Sequence, residues 1–397
     1  MNPEIYLDNN ATTHLSGAVG EAVKTAVEEN FGNPSSEHRS GEKARRTIVE
    51  SRDAIASLLG VSADRLLFGS GATELNYWVL SDVVRSRGNA HLVTTQVEHS
   101  CVLETANALE ANGVRVTRLP VDRKGRIDLE QLVQSMDNET SLVSVQWVNN
   151  ETGVIQPIRE IADVCDSFGV PFHCDAAQAI GKVEVDFDRI GIDFLTTSAH
   201  KMHGPTGIGA LCVKDRRSLG PMLRGGSQEH GLRPGTENLL GIIGFGAAAS
   251  EREGSLSYVI SSIAKLRDHF EAMISESLPR VVINGRTEHR VCNSTNLMFP
   301  GLDGAAIVAL LDRNGVRCSQ SSACTSSRPE PSYVLRAMGL SEEEAFASVR
   351  FSFSNQNTMA EVERAASKLI STVGRLSGFA PRQTETDNLQ GAFKHEV

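Results

Sequence analysis

The chain has 397 residues, 40% of them hydrophobic and 22% charged, with a formal net charge of -10. That length suits one large domain with a smaller companion, and no apolar run approaches the roughly 20 residues that cross a bilayer. The negative charge and the lack of clustered Lys and Arg speak against a nucleic-acid surface and fit a basic protein partner better. The start, "MNPEIYLDNNATTH", has neither a basic nor an apolar signal region, so a soluble cytoplasmic protein is expected. The seven cysteines are odd in number, scattered and without a CxxC pair. They read as reduced thiols in a reducing compartment rather than a disulfide framework or a metal site.

In chain order, "RTIVESRDAIASLL" has the period of an amphipathic helix, "RLLFGS" reads as a strand entering a turn, and "HLVTT" reads as a strand. "VLETANALEANG" is a helix stopped by Gly113. Next come "VRVTRLP", "SLVSVQWV", "GVPFHCD", "DFLTTSAH" and "GIGALCV", each short, apolar and closed by a turn or a polar cluster. Strands alternating with helices predict βαβ units, hence an α/β fold with a mostly parallel sheet covered on both faces. After a helix-like stretch from 255 to 278 the texture changes. "RVVING", "STNLMF", "AAIVALLDRNG", "VRFSFS" and "EVERAASKLISTVGRL" suggest a smaller α+β unit, and the last 17 residues are polar and aperiodic.

In an open α/β sheet, ligands gather at the carboxyl ends of the strands. The residues there are Gly71, Ala72 and Thr73, then His99, Asn150, Asp175 and Gln178, and finally Ser198, His200 and Lys201. "SGATELN" suits an anion held at a helix N-terminus, and reads equally as a turn with an ordinary N-cap. His99 is either a catalytic imidazole or a partly buried histidine. Asp175 follows a wholly apolar strand, where a carboxylate needs a specific cationic partner to stay ionised; a helix N-cap is the alternative. Lys201, in "TTSAHKMHGPTGIG", is hard to explain as a solvated charge, and a desolvated lysine is a nucleophile or a Schiff-base former. A lysine, an aspartate, phosphate donors and a flat side chain together suit pyridoxal phosphate.

A further cysteine stands apart. Cys324, in "SQSSACTSSRPEP", has no neighbour able to bury it, although free cysteine is usually buried. Cys101, Cys165, Cys174 and Cys212 read as small core residues, and Cys318 as structural.

These segments resemble, in order and over nearly the whole chain, the cysteine desulfurases of the NifS/IscS kind among the class V, fold-type I pyridoxal-phosphate enzymes. The matching motifs include "YLDNNATT", "FGNPSSEH", "GATELN", "VEHSCVLE", "VNNETGVIQPI", "HCDAAQAIGK", "SAHKMHGPTGIGAL", "GGSQEHGLRPGTEN", "SSACTSSRPEPSYVLRAMG" and "VRFSFS". The resemblance implies residues 1–14 as a segment joining the small domain, 15–255 as the cofactor-binding domain, 256–380 as the small domain with the cysteine loop, and 381–397 as a tail. Lys201 would hold the cofactor's aldehyde, Asp175 its pyridine nitrogen and Gln178 its ring oxygen. His99 would stack on the ring and assist proton transfer. Thr73, Ser198 and His200 would hold the phosphate, with Ala72 among the cofactor contacts and Thr236 donated by the other subunit of a homodimer. Asn150 would touch both cofactor and substrate, Asn33 would join the substrate contacts, and Arg350 would clamp the α-carboxylate. Cys324 would take sulfur from L-cysteine as a persulfide on a mobile loop, leave alanine, and pass the sulfur to an acceptor protein.

The chain departs from the family at Ser354 and Ser321, where glycines are usual, at Thr206, where lysine is common, and at His230, where arginine is usual. None of these removes a catalytic group. A selenocysteine lyase or a class V aminotransferase is the alternative enzyme, the latter with no use for Cys324; a catalytically dispensable subunit is the alternative from another class. The acceptor stays open among iron–sulfur assembly, tRNA thiolation, cofactor sulfuration and DNA sulfur modification.

Overall fold

A computed structural model describes residues 4–85, 90–320 and 330–379. Strands in chain order are β1 (Ile5–Tyr6), β2 (Leu66–Gly69), β3 (His91–Thr95), β4 (Arg115–Leu119), β5 (Thr140–Gln146), β6 (Phe172–Asp175) and β7 (Phe194–Ser198). They continue as β8 (Gly209–Val213), β9 (Val282–Asn284), β10 (Ser294–Met298), β11 (Val316–Arg317), β12 (Ser319–Gln320) and β13 (Ser348–Ser352).

Seven of these form the main sheet in the order β2-β8-β7-β6-β5-β3-β4. The run β4-β3-β5-β6-β7 is parallel, as the alternation of strands and helices requires, while β8 lies antiparallel to both its neighbours. Alternation along the strands explains the apolar runs. Leu67, Leu92, Leu142, Phe194 and Leu211 face the helices Ala72–Arg85 and Ser100–Ala111, while Phe68, Val93, Val143, Leu195 and Ala210 join the core on the other face. With both faces covered, the strands are buried along their length, polar residues such as Thr94, Ser144 and Thr196 included.

The helix Leu239–Glu253 packs close against Arg39–Leu59 because Gly246 carries no side chain; a Cβ there would sit 2.7 Å from Ser51 Cα. Gly209 permits a second close approach, since a Cβ would lie 2.5 Å from Thr197 O and 2.8 Å from Gly71 Cα. That approach draws the turn after β2 against the end of β7, where the candidate residues gather.

The second sheet is antiparallel, ordered β12-β13-β10-β9, with the helices Leu256–Ser277 and Met359–Phe379 packed together and the former against β10. Phe270 closes this layer against Phe351 and Phe353, with ring centroids 5.0 and 5.4 Å apart. The N-terminal segment touches both sheets. Ile5 pairs with Val316 and Asp8 bridges Ser352, then Thr13 receives the chain turn after β7, its N–H and hydroxyl both donating to His200 O. Among the described residues no helix is long and apolar enough to cross a membrane.

Candidate active site

The carboxyl ends of β2, β3, β5, β6 and β7 open into a cavity of about 730 Å3, which β12, β13 and the segment after β1 close from the side of the second sheet. Its walls bring together Ala72, Thr73, His99, Asn150, Asp175, Gln178, Ser198, His200, Lys201 and Arg350, residues up to 278 positions apart in the chain. Two predicted residues are not among them: Asn33 and Thr236 are both exposed on loops outside the cavity wall. Cys324 lies outside the described residues, as do Ser321 and the tail from 381 to 397.

Asp175 ends β6 buried, without the helix that an N-cap would start; a turn follows it. The carboxylate is held by N–H donors, Asn76 Nδ2 to Oδ2 at 2.7 Å and the Ala177 N–H to Oδ1 at 2.9 Å. Asn76 is in turn fixed by the Thr196 hydroxyl, which donates to its Oδ1 at 2.5 Å. These contacts satisfy both carboxylate oxygens at the end of an apolar strand.

His99 caps the helix Ser100–Ala111 through Nδ1, which accepts from the Cys101 N–H at 3.3 Å and lies 3.0 Å from Cys101 Sγ. Its ring opens on the cavity, and burial by the cavity walls pushes its pKa down, helped by Lys201 and opposed by Asp175. A neutral imidazole is therefore the resting form at neutral pH. Cys101 corrects the reading of that thiol as core: it is half-buried and lines the cavity. Burial pushes it up to about 12, with Asp175 adding to the effect, so it stays a thiol. Cys165, Cys174, Cys212 and Cys318 are buried.

Lys201 ends the short turn Ala199–Lys201, and its Nζ donates to Asn10 O at 2.6 Å and Ala11 O at 2.8 Å. Asn10 O also accepts from Gln178 Nε2 at 2.9 Å. Gln178 Oε1 accepts from Lys182 Nζ at 2.8 Å, which leaves the amide no freedom to flip. Burial, with repulsion from Lys201, pushes Lys182 down to about 7. His200 is likewise pushed down to about 4, first by burial and then by Lys201, so at neutral pH it is a neutral partner of the Thr12 hydroxyl, 3.1 Å away.

Sequence reasoning gave no role to Asn10, Asn76 or Lys182. The signals were there as polar residues in apolar company: Asn10 just after "IYL", Asn76 between the buried Leu75 and Trp78, and Lys182 in "AIGKVEV".

The residues fit pyridoxal phosphate on three observations. The helix Ala72–Arg85 starts at the cavity, presenting the turn 70–73 and Thr73 to it. A Cβ at Gly71 would point into the space before Ser198, whose Oγ is the nearest atom at 3.8 Å, so the glycine leaves a cradle for an anion. Asn150 Oδ1 is buried without a partner in the cavity wall, an acceptor awaiting a donor. Opposite, Arg350 is held by Asp8 at 2.7 Å and by Asn150 O at 3.1 Å, with its Nε unpartnered.

Of the departures from the family, Thr206 lines the cavity and Ser354 is buried with ordinary negative φ, so no glycine is needed there. His230 stands at φ 59 on the surface turn Gln228–Gly231.

Residues 5–365 match the family described as Aminotransferase class-V. The chain is 38% identical over 387 residues to "Cysteine desulfurase IscS" of Dictyoglomus turgidum, covering 97% of this chain and 98% of that one. It is 38% identical over 380 residues to "Cysteine desulfurase NifS" of Azotobacter vinelandii, covering 95% and 94%. Among solved structures, a "NIFS-LIKE PROTEIN" superposes with a TM-score of 0.87 at 32% identity, covering 94% of this chain and all of that one.

Proposed function

Since the chain belongs to the class-V aminotransferases and is a pyridoxal-phosphate-dependent cysteine desulfurase, we propose the following division of labour among its residues. When bound, the cofactor supplies an electron sink for the bonds around the substrate's Cα. Lys201 holds its aldehyde, and Asp175, oriented by Asn76 and Ala177, faces its ring nitrogen. Gln178, locked by Lys182 and Asn10, addresses the ring oxygen. Ala72, Thr73, Ser198 and His200 cradle the phosphate, and Thr236 of a second copy completes it in a homodimer with composite sites.

His99 covers the ring and, being neutral, is available to take a proton. Arg350 grips the α-carboxylate of L-cysteine, and Asn150 and Asn33 assist in placing it. Cys324 takes the substrate sulfur as a persulfide, alanine is left, and the sulfur goes on to an acceptor protein. The domain division at residues 14, 255 and 380 belongs to the same proposal, with work in the cytoplasm. It is supported by the separate seven- and four-stranded sheets and by the two-stranded pairing of Ile5 with Val316.

The observation that carries the assignment of roles is convergence: Lys201, Asp175, His99 and Arg350 come from separate strands and meet around one cavity. The test is the product pair. L-cysteine with a reductant is expected to give alanine and sulfide in equal amounts; conversion of L-cysteine to its keto acid, with the amino group passed to an added acceptor keto acid, would mark an aminotransferase instead.

A further inference from the structure

Asp8 lies in the segment that follows β1, bridged to Ser352 of β13. Its Oδ1 accepts from Arg350 Nη2 at 2.7 Å and its Oδ2 from the Ser319 hydroxyl at 2.8 Å. The side chains of Arg350 and Asp8 are only 8% and 18% exposed, so salt and water weaken the pair little. Ser319 stands opposite Arg350 on the paired strands β12 and β13, and all three residues line the cavity.

This arrangement has a cost for a substrate. A carboxylate that comes to Arg350 meets a guanidinium already neutralised by Asp8, and it must share the donors that remain. Substrate and product carry the same α-carboxylate. A cation without a counterion would grip both, and binding shared by ground state and transition state does not raise turnover while it slows release. The second hydrogen bond, from Ser319, keeps Asp8 from closing fully over the guanidinium.

Resting on the reading of Arg350 as the carboxylate clamp, we propose that Asp8 is an affinity-setting positioning residue. It aims the guanidinium into the cavity while sharing its charge, so that the amino-acid carboxylate is held loosely enough for alanine to leave.

The test uses the holoenzyme and L-alanine, with binding followed by the visible spectrum of the bound cofactor and by the thermal midpoint with and without L-alanine. Asp8→Asn keeps the shape and removes the charge. It should tighten L-alanine binding roughly tenfold, the size of one charged partner, and lower kcat and KM for L-cysteine together. It should also lower the thermal midpoint of the alanine-free protein, with L-alanine restoring it. Asp8→Glu should return the affinity toward that of the unmodified protein. Should Asp8→Asn fail to fold, Ser319→Ala lets Asp8 close on Arg350, and L-alanine should bind more weakly. L-alanine binding that is unchanged or weaker in Asp8→Asn, or unchanged in Ser319→Ala, overturns the proposal alone. No response to L-alanine in the unmodified holoenzyme overturns the clamp reading, and the proposal with it.

Discussion

Replacing Glu98 with Gln removes an ionisable group from beside His99 while keeping the outline of the side chain. Glu98 is fully buried, its Oε1 receiving the Thr95 hydroxyl at 2.7 Å and its Oε2 the Gln146 N–H at 2.8 Å. Burial pushes its carboxyl up to about 8 from 4.5; the two hydrogen bonds oppose the rise and the charge on Asp175 adds to it. The folded protein thus keeps a proton that the unfolded chain releases. Its contribution to stability is complete below about pH 4.5 and is lost progressively as pH rises toward 8, at about 1.4 kcal/mol per pH unit. Over the whole window the loss amounts to about 5 kcal/mol. In Glu98→Gln the amide oxygen can accept from Gln146 and the amide nitrogen can donate to Thr95, copying the protonated acid. Urea unfolding of both proteins from about pH 5 to about pH 8 measures the difference directly. The variant should match the unmodified protein near pH 5 and exceed it by several kcal/mol near pH 8. Stability curves that run parallel across that range would refute the claim that Glu98 is buried as a neutral acid.

Lys201→Ala should abolish the visible absorbance of the lysine-bound cofactor while leaving the fold intact by circular dichroism; an unchanged spectrum would remove Lys201 from the site. Cys324→Ser should keep that absorbance and stop sulfide release from L-cysteine, and full release by the variant would make the cysteine incidental.

The main sheet was legible because its strands are buried on both faces. A strand such as "SLVSVQ" is buried along its whole length, its serines included, and the polar residues that end two of the runs, Asp175 and Ser198, line the cavity. The antiparallel β8 was not legible, since direction leaves no mark on an apolar run. β1, β11 and β12 escaped for another reason: each has two residues, and its pairing partner is far away in sequence or hidden in a polar stretch. With those strands went the role of Asp8 and Asn10, whose chemistry exists only where the N-terminal segment crosses between the sheets. Cys101 was misread because "SCVLETANALEA" has a helical period that predicts which residues are apolar, not which end of the helix opens on a cavity. The motif that implies Asn33 for the substrate contacts leaves it on an exposed loop outside the cavity of its own chain, while Thr236, implied as the other subunit's contribution, is likewise exposed.

The most direct test of the account is mass spectrometry of the purified holoenzyme after incubation with L-cysteine and no reductant, with peptide mapping of any added sulfur. One extra sulfur atom on Cys324, formed together with alanine, is the predicted result. Alanine formed with the sulfur on another cysteine, or no added sulfur on a protein that holds its cofactor, would contradict it.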